Sequence, residues 1–219
     1  MADRPRKVTG DAVRHPVFAR FYTGLSERIE PFMGPVRTEL LAGLCGRVLE
    51  IGAGNGLNFR HYPATVAEVV AIEPERALRR AAVDAARRAE VPVDVVPGTA
   101  QALPVKSEAY DAVVLCLVLC SLREVARSLG EVRRVLRPGG EVRFFEHGRA
   151  PGRGMRAVQS GLDRTVWPLL FGGCHTARDT VGCLRDAGFG PVAYRELIVP
   201  DRGPRLPTSY CVLGSARRP

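Results

Sequence analysis

Three glycines at alternate positions, Gly52, Gly54 and Gly56, follow a short apolar run, Val48-Leu49-Glu50-Ile51. Glycine there lets the chain take left-handed backbone angles and lets a ligand come against bare main chain. Glu73 stands at the end of the next apolar run, Val69-Val70-Ala71-Ile72. That is about 20 residues on, the distance at which an acid accepts both hydroxyls of a ribose in open α/β sheets. The spacing also separates two ligands. A dinucleotide fingerprint sets its third glycine three residues after the second; here it comes two after, and Leu57 holds the dinucleotide position. His147 and His175 are candidate bases for an acceptor that has to lose a proton. Six cysteines, at 45, 116, 120, 174, 183 and 211, form no C-x-x-C pair. Only Cys174 and His175 are neighbours, so zinc spacing is missing and no metal is expected.

The elements that must position these residues are legible from periodicity. Val17, Phe18, Phe21, Tyr22, Leu25 and Ile29 form a helical stripe, read chiefly as core. Pro31 is expected to end that helix, and a second, from Gly34 to Leu44, to lead into the first strand. Glu75 to Ala89 reads as a helix opened by Pro74. Val93 to Val96 reads as a third strand. Tyr110 to Leu115 is the fourth, mostly apolar because helices cover both faces. Ser121-Leu122-Arg123-Glu124 has the form of a capping box, followed by a helix with Leu122, Val125, Leu129, Val132 and Leu136 on its buried face. Leu136 to Gly140 stops it, and Glu141 to Glu146 is the fifth strand. A helix is expected through Leu162, Val166 and Leu170. Thr176 is placed to cap another that closes at Ala187, with Gly188 as left-handed terminator and Phe189 folding back on Leu184. Val192 to Ile198 and Tyr210 to Ser215 supply the last strands. Ligands in such sheets bind beyond the carboxyl ends of the strands, which gathers Gly52 to Gly56, Glu73, Thr99 to Gln101 and Cys116 to Cys120 around one cleft.

The stretch Glu50-Ile51-Gly52-Ala53-Gly54-Asn55-Gly56 resembles motif I, E/D-x-G-x-G-x-G, of the class I S-adenosylmethionine (SAM) methyltransferases, methyltransferase type 11. Gly98 to Pro104 resembles that family's G-D-A-x-x-L-P adenine segment, with Thr99 in place of the aspartate, and Leu136 to Gly140 resembles its L-K/R-P-G-G turn. The resemblance implies an α/β, Rossmann-like sheet of seven strands, mostly parallel with the last strand antiparallel beside the fifth, helices on both faces and an N-terminal helical cap. It implies SAM as cofactor. Its site would comprise Tyr22, Glu50, Gly52, Ala53, Gly54, Asn58, Glu73, Pro74, Thr99, Ala100, Gln101, Cys116 and Leu117, with the adenine left to backbone near Ala100, helped by Thr99 or Gln101.

The segment after the fourth strand narrows the acceptor. Amide- and adenine-methylating relatives carry Asn/Asp-Pro-Pro-Tyr there and cytosine enzymes use Pro-Cys; this chain has Cys116-Leu117-Val118-Leu119-Cys120, and no cysteine follows a proline. Asn58-Phe59 with Tyr62-Pro63, Leu117 to Ser121, Glu146-His147 and Phe171 to Cys174 are similar to the thiol-methyltransferase branch of animal methyltransferase-like proteins and its bacterial relatives. That likeness implies a small, partly apolar acceptor, thiols first, with O and N acceptors open. Animal members carry an N-terminal membrane segment that this sequence does not show. Quinone C-methyltransferases and phospholipid N-methyltransferases are more distant likenesses.

A chain of 219 residues supports one sizeable core. The expected organisation is a basic arm at 1–11 and one domain at 12–219, its cap at 12–46 and its Rossmann-like core at 47–219. Net charge is +9, yet lysine occurs only at Lys7 and Lys106. Neither follows a glycine, so there is no phosphate loop, and no Tyr-x-x-x-Lys pair suits a short-chain dehydrogenase. The charge is spread without a dense basic run, so no nucleic-acid partner is expected. The longest apolar run, Ala112 to Leu122, is broken by Ser121 and too short for a bilayer, and the N-terminus is charged; a cytoplasmic protein without an integral membrane segment is expected. Two other readings stay open: an NAD(P)-binding oxidoreductase and a non-catalytic SAM-binding protein.

Overall fold

The computed structural model describes residues 16–165 and 167–219, with side chains from residue 21 onward. The basic arm, the side chains of Val17 and Phe18, and Val166 lie outside the described residues.

Seven strands form one sheet: β1 (Gly46–Ile51), β2 (Val66–Ile72), β3 (Val93–Val96), β4 (Tyr110–Cys116), β5 (Leu136–His147), β6 (Val192–Ile198) and β7 (Tyr210–Arg217). Their order is β3-β2-β1-β4-β5-β7-β6. All pairings from β3 to β5 are parallel, and β7 runs antiparallel between β5 and β6. The expected seven-stranded, mostly parallel sheet is present. β1 is the middle one of the five parallel strands, with Leu49 opposite Val70 on one side and Val113 on the other.

The sheet is buried on both faces, which explains its near-continuous apolar strands. On one face Leu49, Ile51, Val113 and Leu115 pack with Leu129, Val132 and Val135 of α3 (Val125–Val135) and Leu184 of α6 (Thr180–Asp186). On the other, Val48, Val69 and Val114 pack with Met33, Leu40 and Leu41 of α1 (Pro16–Leu41) and Ala82 of α2 (Arg76–Ala86). Adjacent positions on β1 therefore serve opposite faces, and Glu50 falls on the α1 face beside Val48.

Several local expectations are corrected. One helix, α1, runs through Pro31 and Pro35 where two were expected. Each proline costs a helix interior about 3 kcal/mol, but both are exposed, while Ser26, Met33, Arg37 and Leu40 make a continuous buried face across them. Tertiary packing overrides the local break. Of the described residues in the expected core stripe, Phe21, Leu25 and Ile29 are exposed. Ser121 belongs to a 3-10 turn, Leu119–Ser121, and α3 starts after Glu124 with no side-chain cap, so no capping box forms. β5 begins already at Leu136, because Leu136 pairs with Tyr110 across an irregularity. The helix expected through Leu170 is interrupted, giving α4 (Arg153–Asp163) and α5 (Trp167–Leu170). Thr176 caps nothing: its N–H and hydroxyl donate to Asp163, and Asp179 caps α6 by accepting from the Gly182 N–H. The far end of α6 is as expected, with the Phe189 N–H donating to the Leu184 carbonyl.

The loops beyond β5 and β6 are fastened by one amide. Gln159 of α4 is fully buried; its Oε1 accepts from the Ala150 N–H at 2.9 Å, and its Nε2 donates to the carbonyls of Gly148, Thr176 and Pro207 at 2.9–3.1 Å. Replacing it by leucine strands those groups in the interior. Gln159→Leu is expected to lose roughly 2–5 kcal/mol in urea unfolding, the scale for several unsatisfied buried groups; a loss under about 1 kcal/mol would mean water reaches this junction.

Candidate active site

The glycine turn leaves β1 at the centre of the sheet's carboxyl rim. Gly52, Gly54 and Gly56 all have positive φ, at 69°, 58° and 80°. A Cβ on Gly52 would come 2.6 Å from the Val118 side chain, and one on Gly56 would come 2.7 Å from Phe59. The turn is tied to β2: the N–H groups of Gly52 and Ala53 both donate to the Ile72 carbonyl, at 2.8 and 3.2 Å. The Gly54 N–H donates to Glu73 Oε2 at 2.8 Å, while Glu73 Oε1 accepts from the Glu75 N–H at 2.8 Å. The N–H groups of Gly52, Ala53 and Gly54 are therefore used within the fold and do not stand free for a ligand. What the turn offers is close approach and a carboxylate. Two N–H bonds leave about half of a carboxylate's acceptor capacity, enough for a pair of ribose hydroxyls.

Behind the turn lies a buried polar chain from α1 to the loop before β2. Arg37 Nε donates to Glu30 at 3.1 Å and its Nη1 to Asn58 Oδ1 at 2.6 Å. Asn58 Nδ2 donates to Glu50 Oε1 at 2.9 Å, and the Tyr62 hydroxyl to Glu50 Oε2 at 2.7 Å. The structure thus places Glu50 and Asn58 with both polar ends engaged, as supports under the turn. Burial pushes the carboxyl groups of both Glu50 and Glu73 up to about 7, against the hydrogen bonds that favour their ionised forms.

The remaining predicted residues surround the same rim. Thr99, Ala100 and Gln101 make a tight turn after β3, closed by the Ala102 N–H on the Thr99 carbonyl at 3.2 Å. Pro74 lies between Glu73 and Glu75, and the Glu75 carboxylate caps α2 by accepting from the Ala77 and Leu78 N–H groups at 2.6 and 2.9 Å. Cys116 ends β4, with its sulfur 3.4 Å from Arg37 Nη1. Burial pushes its thiol up to about 11, so it is wall rather than nucleophile. Leu117 has a φ of 58°, a left-handed angle that costs a residue with a Cβ roughly 1–2 kcal/mol. Tyr22, among the described residues of the expected stripe, turns inward: a Cβ on Gly54 would lie 3.3 Å from its ring. Burial raises its hydroxyl to about 12.

One residue at this rim has a role that sequence reasoning missed. Glu146, fully buried near the end of β5, accepts hydrogen bonds from the N–H groups of Val118, Leu119 and Cys120 at 2.9, 2.8 and 3.1 Å. It holds the turn after β4 and offsets the strain at Leu117. An acid directly after two phenylalanines, Phe144-Phe145-Glu146, was the signal available for it.

The two candidate histidines part company. His147 Nδ1 lies 3.3 Å from Cys174 Sγ, and Cys120 is close by; the ligand atoms of all three fall within 4.8 Å of one another. Burial disfavours the His147 imidazolium, but the Cys174 sulfur beside it prevails and moves its pKa up. The Cys174 thiol is drawn down by the hydrogen bond from Cys120 against the cost of burial, with His147 assisting. His175, by contrast, has Nδ1 2.8 Å from the Gly173 carbonyl and lines a separate cavity of about 460 Å³ with Arg149, Arg156 and Arg164. Neither that cavity nor one of about 320 Å³ beside Glu39 and Arg195 includes the glycine turn, which Tyr22 and Val118 cover.

This geometry can be set beside known proteins. A methyltransferase domain model matches residues 49–144, from β1 into β5. The chain is 32% identical over 164 residues to the human thiol S-methyltransferase TMT1A, covering 73% of this chain and 67% of the relative. It is 32% identical over 204 residues to mouse thiol S-methyltransferase TMT1B, covering 90% and 81%. The chain belongs to the class I SAM-dependent methyltransferases. Among solved structures, the N-methyltransferase NodS from Bradyrhizobium japonicum, in complex with S-adenosyl-L-homocysteine, superposes with a TM-score of 0.66 at 17% identity, covering 90% of this chain and 98% of that one. That likeness shows the fold. The cofactor of this methyltransferase is SAM, and the crowded glycine turn with a carboxylate at its edge fits a nucleoside with a free diol.

The raised Glu50 carboxyl has a consequence for stability. Its folded value near 7 exceeds its ordinary 4.5, so between these pH values the native chain holds a proton the unfolded chain has lost. Stability from this group is full below the lower value and falls as pH rises through the upper one. From pH 5 to pH 8 the urea-derived stability of wild type relative to Glu50→Gln is expected to drop by about 2–3 kcal/mol. A difference that stays level with pH would show that Glu50 is already ionised in the fold at pH 5.

Proposed function

We propose that this methyltransferase transfers the SAM methyl group to a small, partly apolar thiol at the rim between β4 and β5. The observation that carries the reading is the pairing of His147 with Cys174 at the ends of β5 and of the Gly172-Gly173 turn, facing the Cys116–Cys120 segment. The TMT1A and TMT1B relatives, named as thiol S-methyltransferases, support it. In this reading Glu73 accepts the ribose hydroxyls, Thr99, Ala100 and Gln101 with Pro74 border the adenine, and Gly52, Ala53 and Gly54 lie under the amino-acid end, where main-chain carbonyls suit an ammonium. Tyr22, Cys116 and Leu117 enclose the reacting centre, and Glu50 with Asn58 braces the turn from behind.

A sulfonium supplies an activated methyl group, and a nucleophile displaces it in line. Holding the two in register and dry is worth on the order of 7–11 kcal/mol in favourable cases. A thiol, with an ordinary pKa of about 8.5, ionises with little help. The His147 imidazolium, sustained by Cys174, lowers the acceptor's pKa by its charge, and the acceptor's proton passes to solvent. His175 is assigned no part in the transfer. The thiol character of the acceptor suits a reducing, cytoplasmic setting, and among the described residues no helix is long and apolar enough to cross a membrane.

Two measurements test the reading. Glu73→Ala is expected to weaken S-adenosylhomocysteine binding by tenfold or more in calorimetry, since a charge-assisted hydrogen bond is worth about 1.5–3 kcal/mol; an unchanged Kd refutes the ribose assignment. S-adenosylhomocysteine release across small thiols, phenols, amines and quinols should be fastest with thiols. A preference for any other class sinks the thiol reading, and no turnover with any of them favours a binding protein.

A further inference from the structure

Three soft or borderline donors from three separate segments converge near the acceptor end of the rim. Cys120 lies in the 3-10 turn after β4, His147 ends β5, and Cys174 follows the Gly172-Gly173 turn. Their ligand atoms lie within 4.8 Å of one another. Both sulfurs are buried, while His147 is partly open. A tetrahedral zinc ion, with bonds of about 2.3 Å to sulfur and 2.0–2.1 Å to nitrogen, spaces such atoms roughly 3.6–3.8 Å apart. The trio reaches that spacing with shifts of about an ångström or less.

The trio is built, not incidental to one loop. Glu146 fixes the backbone of Cys120, whose carbonyl in turn accepts from the His175 N–H at 2.8 Å. Gly173, at φ 90°, lets the Cys174 segment lie against that turn; a Cβ there would come 2.8 Å from the Ser121 carbonyl. Sequence spacing gave no hint of it, because the donors are 27 residues apart at the His147–Cys174 step and lie on a strand end and two loops that meet only in the fold.

We propose that Cys120, His147 and Cys174 bind a zinc-class, thiophilic divalent cation, leaving its fourth position for an exogenous thiol. Two thiolates and a neutral imidazole balance the ion's charge, so the buried complex carries no net charge. Sulfur and imidazole select zinc, cadmium or cobalt over magnesium or calcium. Three protein ligands with one open position is the arrangement of catalytic rather than structural zinc, and the open side is the one where His147 meets solvent. On binding, Cys120 gives its thiol proton to water, the Cys174–His147 pair gives up the single proton it shares, and a thiol taking the fourth position gives up its own. The cation then holds the acceptor as thiolate in place of the His147 charge. This last step rests on the thiol reading above; cation binding does not.

The test uses the full chain, reduced beforehand, titrated with Cd²⁺ and separately with Co²⁺. One equivalent is expected to bind, with thiolate-to-cadmium charge-transfer absorption and the intense visible bands of tetrahedral cobalt. Cys120→Ser and Cys174→Ser should each weaken binding by roughly tenfold or more, since even losses outside the ligand shell cost that much, whereas Cys45→Ser should not. Propanethiol added to the cobalt form should shift the visible bands. Absence of a stoichiometric ion in the wild-type chain, or binding indifferent to Cys120 and Cys174, overturns the site. Binding that ignores propanethiol overturns the open fourth position. Failure of thiol turnover with the cobalt spectrum intact counts against the proposed reaction and leaves the cation site standing.

Discussion

The hydrogen bond from the Gly54 N–H to Glu73 is the contact on which the rest of the rim depends. It joins the turn after β1 to the end of β2 at the one place where a ligand must meet both. A buried carboxylate is costly unless it is partnered, and here it accepts from two backbone N–H groups, of Gly54 and Glu75, while the Arg79 guanidinium donates to the Glu73 carbonyl at 2.9 Å. Because Glu75 also caps α2, the acid, the turn and the helix are set by one another. A change in any of the three disturbs the distance between the glycine turn and the Glu73 carboxylate.

Carboxylates recur as internal fasteners. Glu50 gathers Asn58 and Tyr62, Glu146 gathers three consecutive N–H groups, and Asp163 gathers Thr176 and Ala177. Each converts a loop at the strands' carboxyl ends, where no ladder bonds remain, into a segment with its donors satisfied. Burial raises Glu50, Glu73 and Glu146 alike, so hydrogen bonding does not fully offset desolvation at any of them. The rim is rigid at an electrostatic cost that a cationic sulfonium nearby would reduce.

The strands and the glycine turn were legible because their signals are local: apolar runs of four to seven residues, glycines at fixed offsets, an acid at a fixed distance. Helix ends were less so. Pro31 and Ser121 carry strong local preferences, and each lost to packing, the one to the buried face of α1 and the other to Glu146 drawing the turn after β4 tight. Cys120, His147 and Cys174 could not be gathered from spacing at all, since sheet order brings only β4 and β5 together, and the Gly172-Gly173 turn joins them through the His175 N–H on the Cys120 carbonyl. The stripe on α1 misled for a related reason. Among its described residues Phe21, Leu25 and Ile29 are exposed, while Tyr22 is directed at the turn.

That direction bears on access. The Tyr22 ring lies over Gly54 and Val118 lies over Gly52, so the turn is roofed from two sides, by α1 and by the segment that Glu146 holds. The two roofs differ in anchorage. Val118 is fixed through a fully buried carboxylate, by the N–H it gives to Glu146, whereas Tyr22 is carried on a helix that is itself anchored to the back of the turn by the buried chain from Glu30 through Arg37 to Asn58.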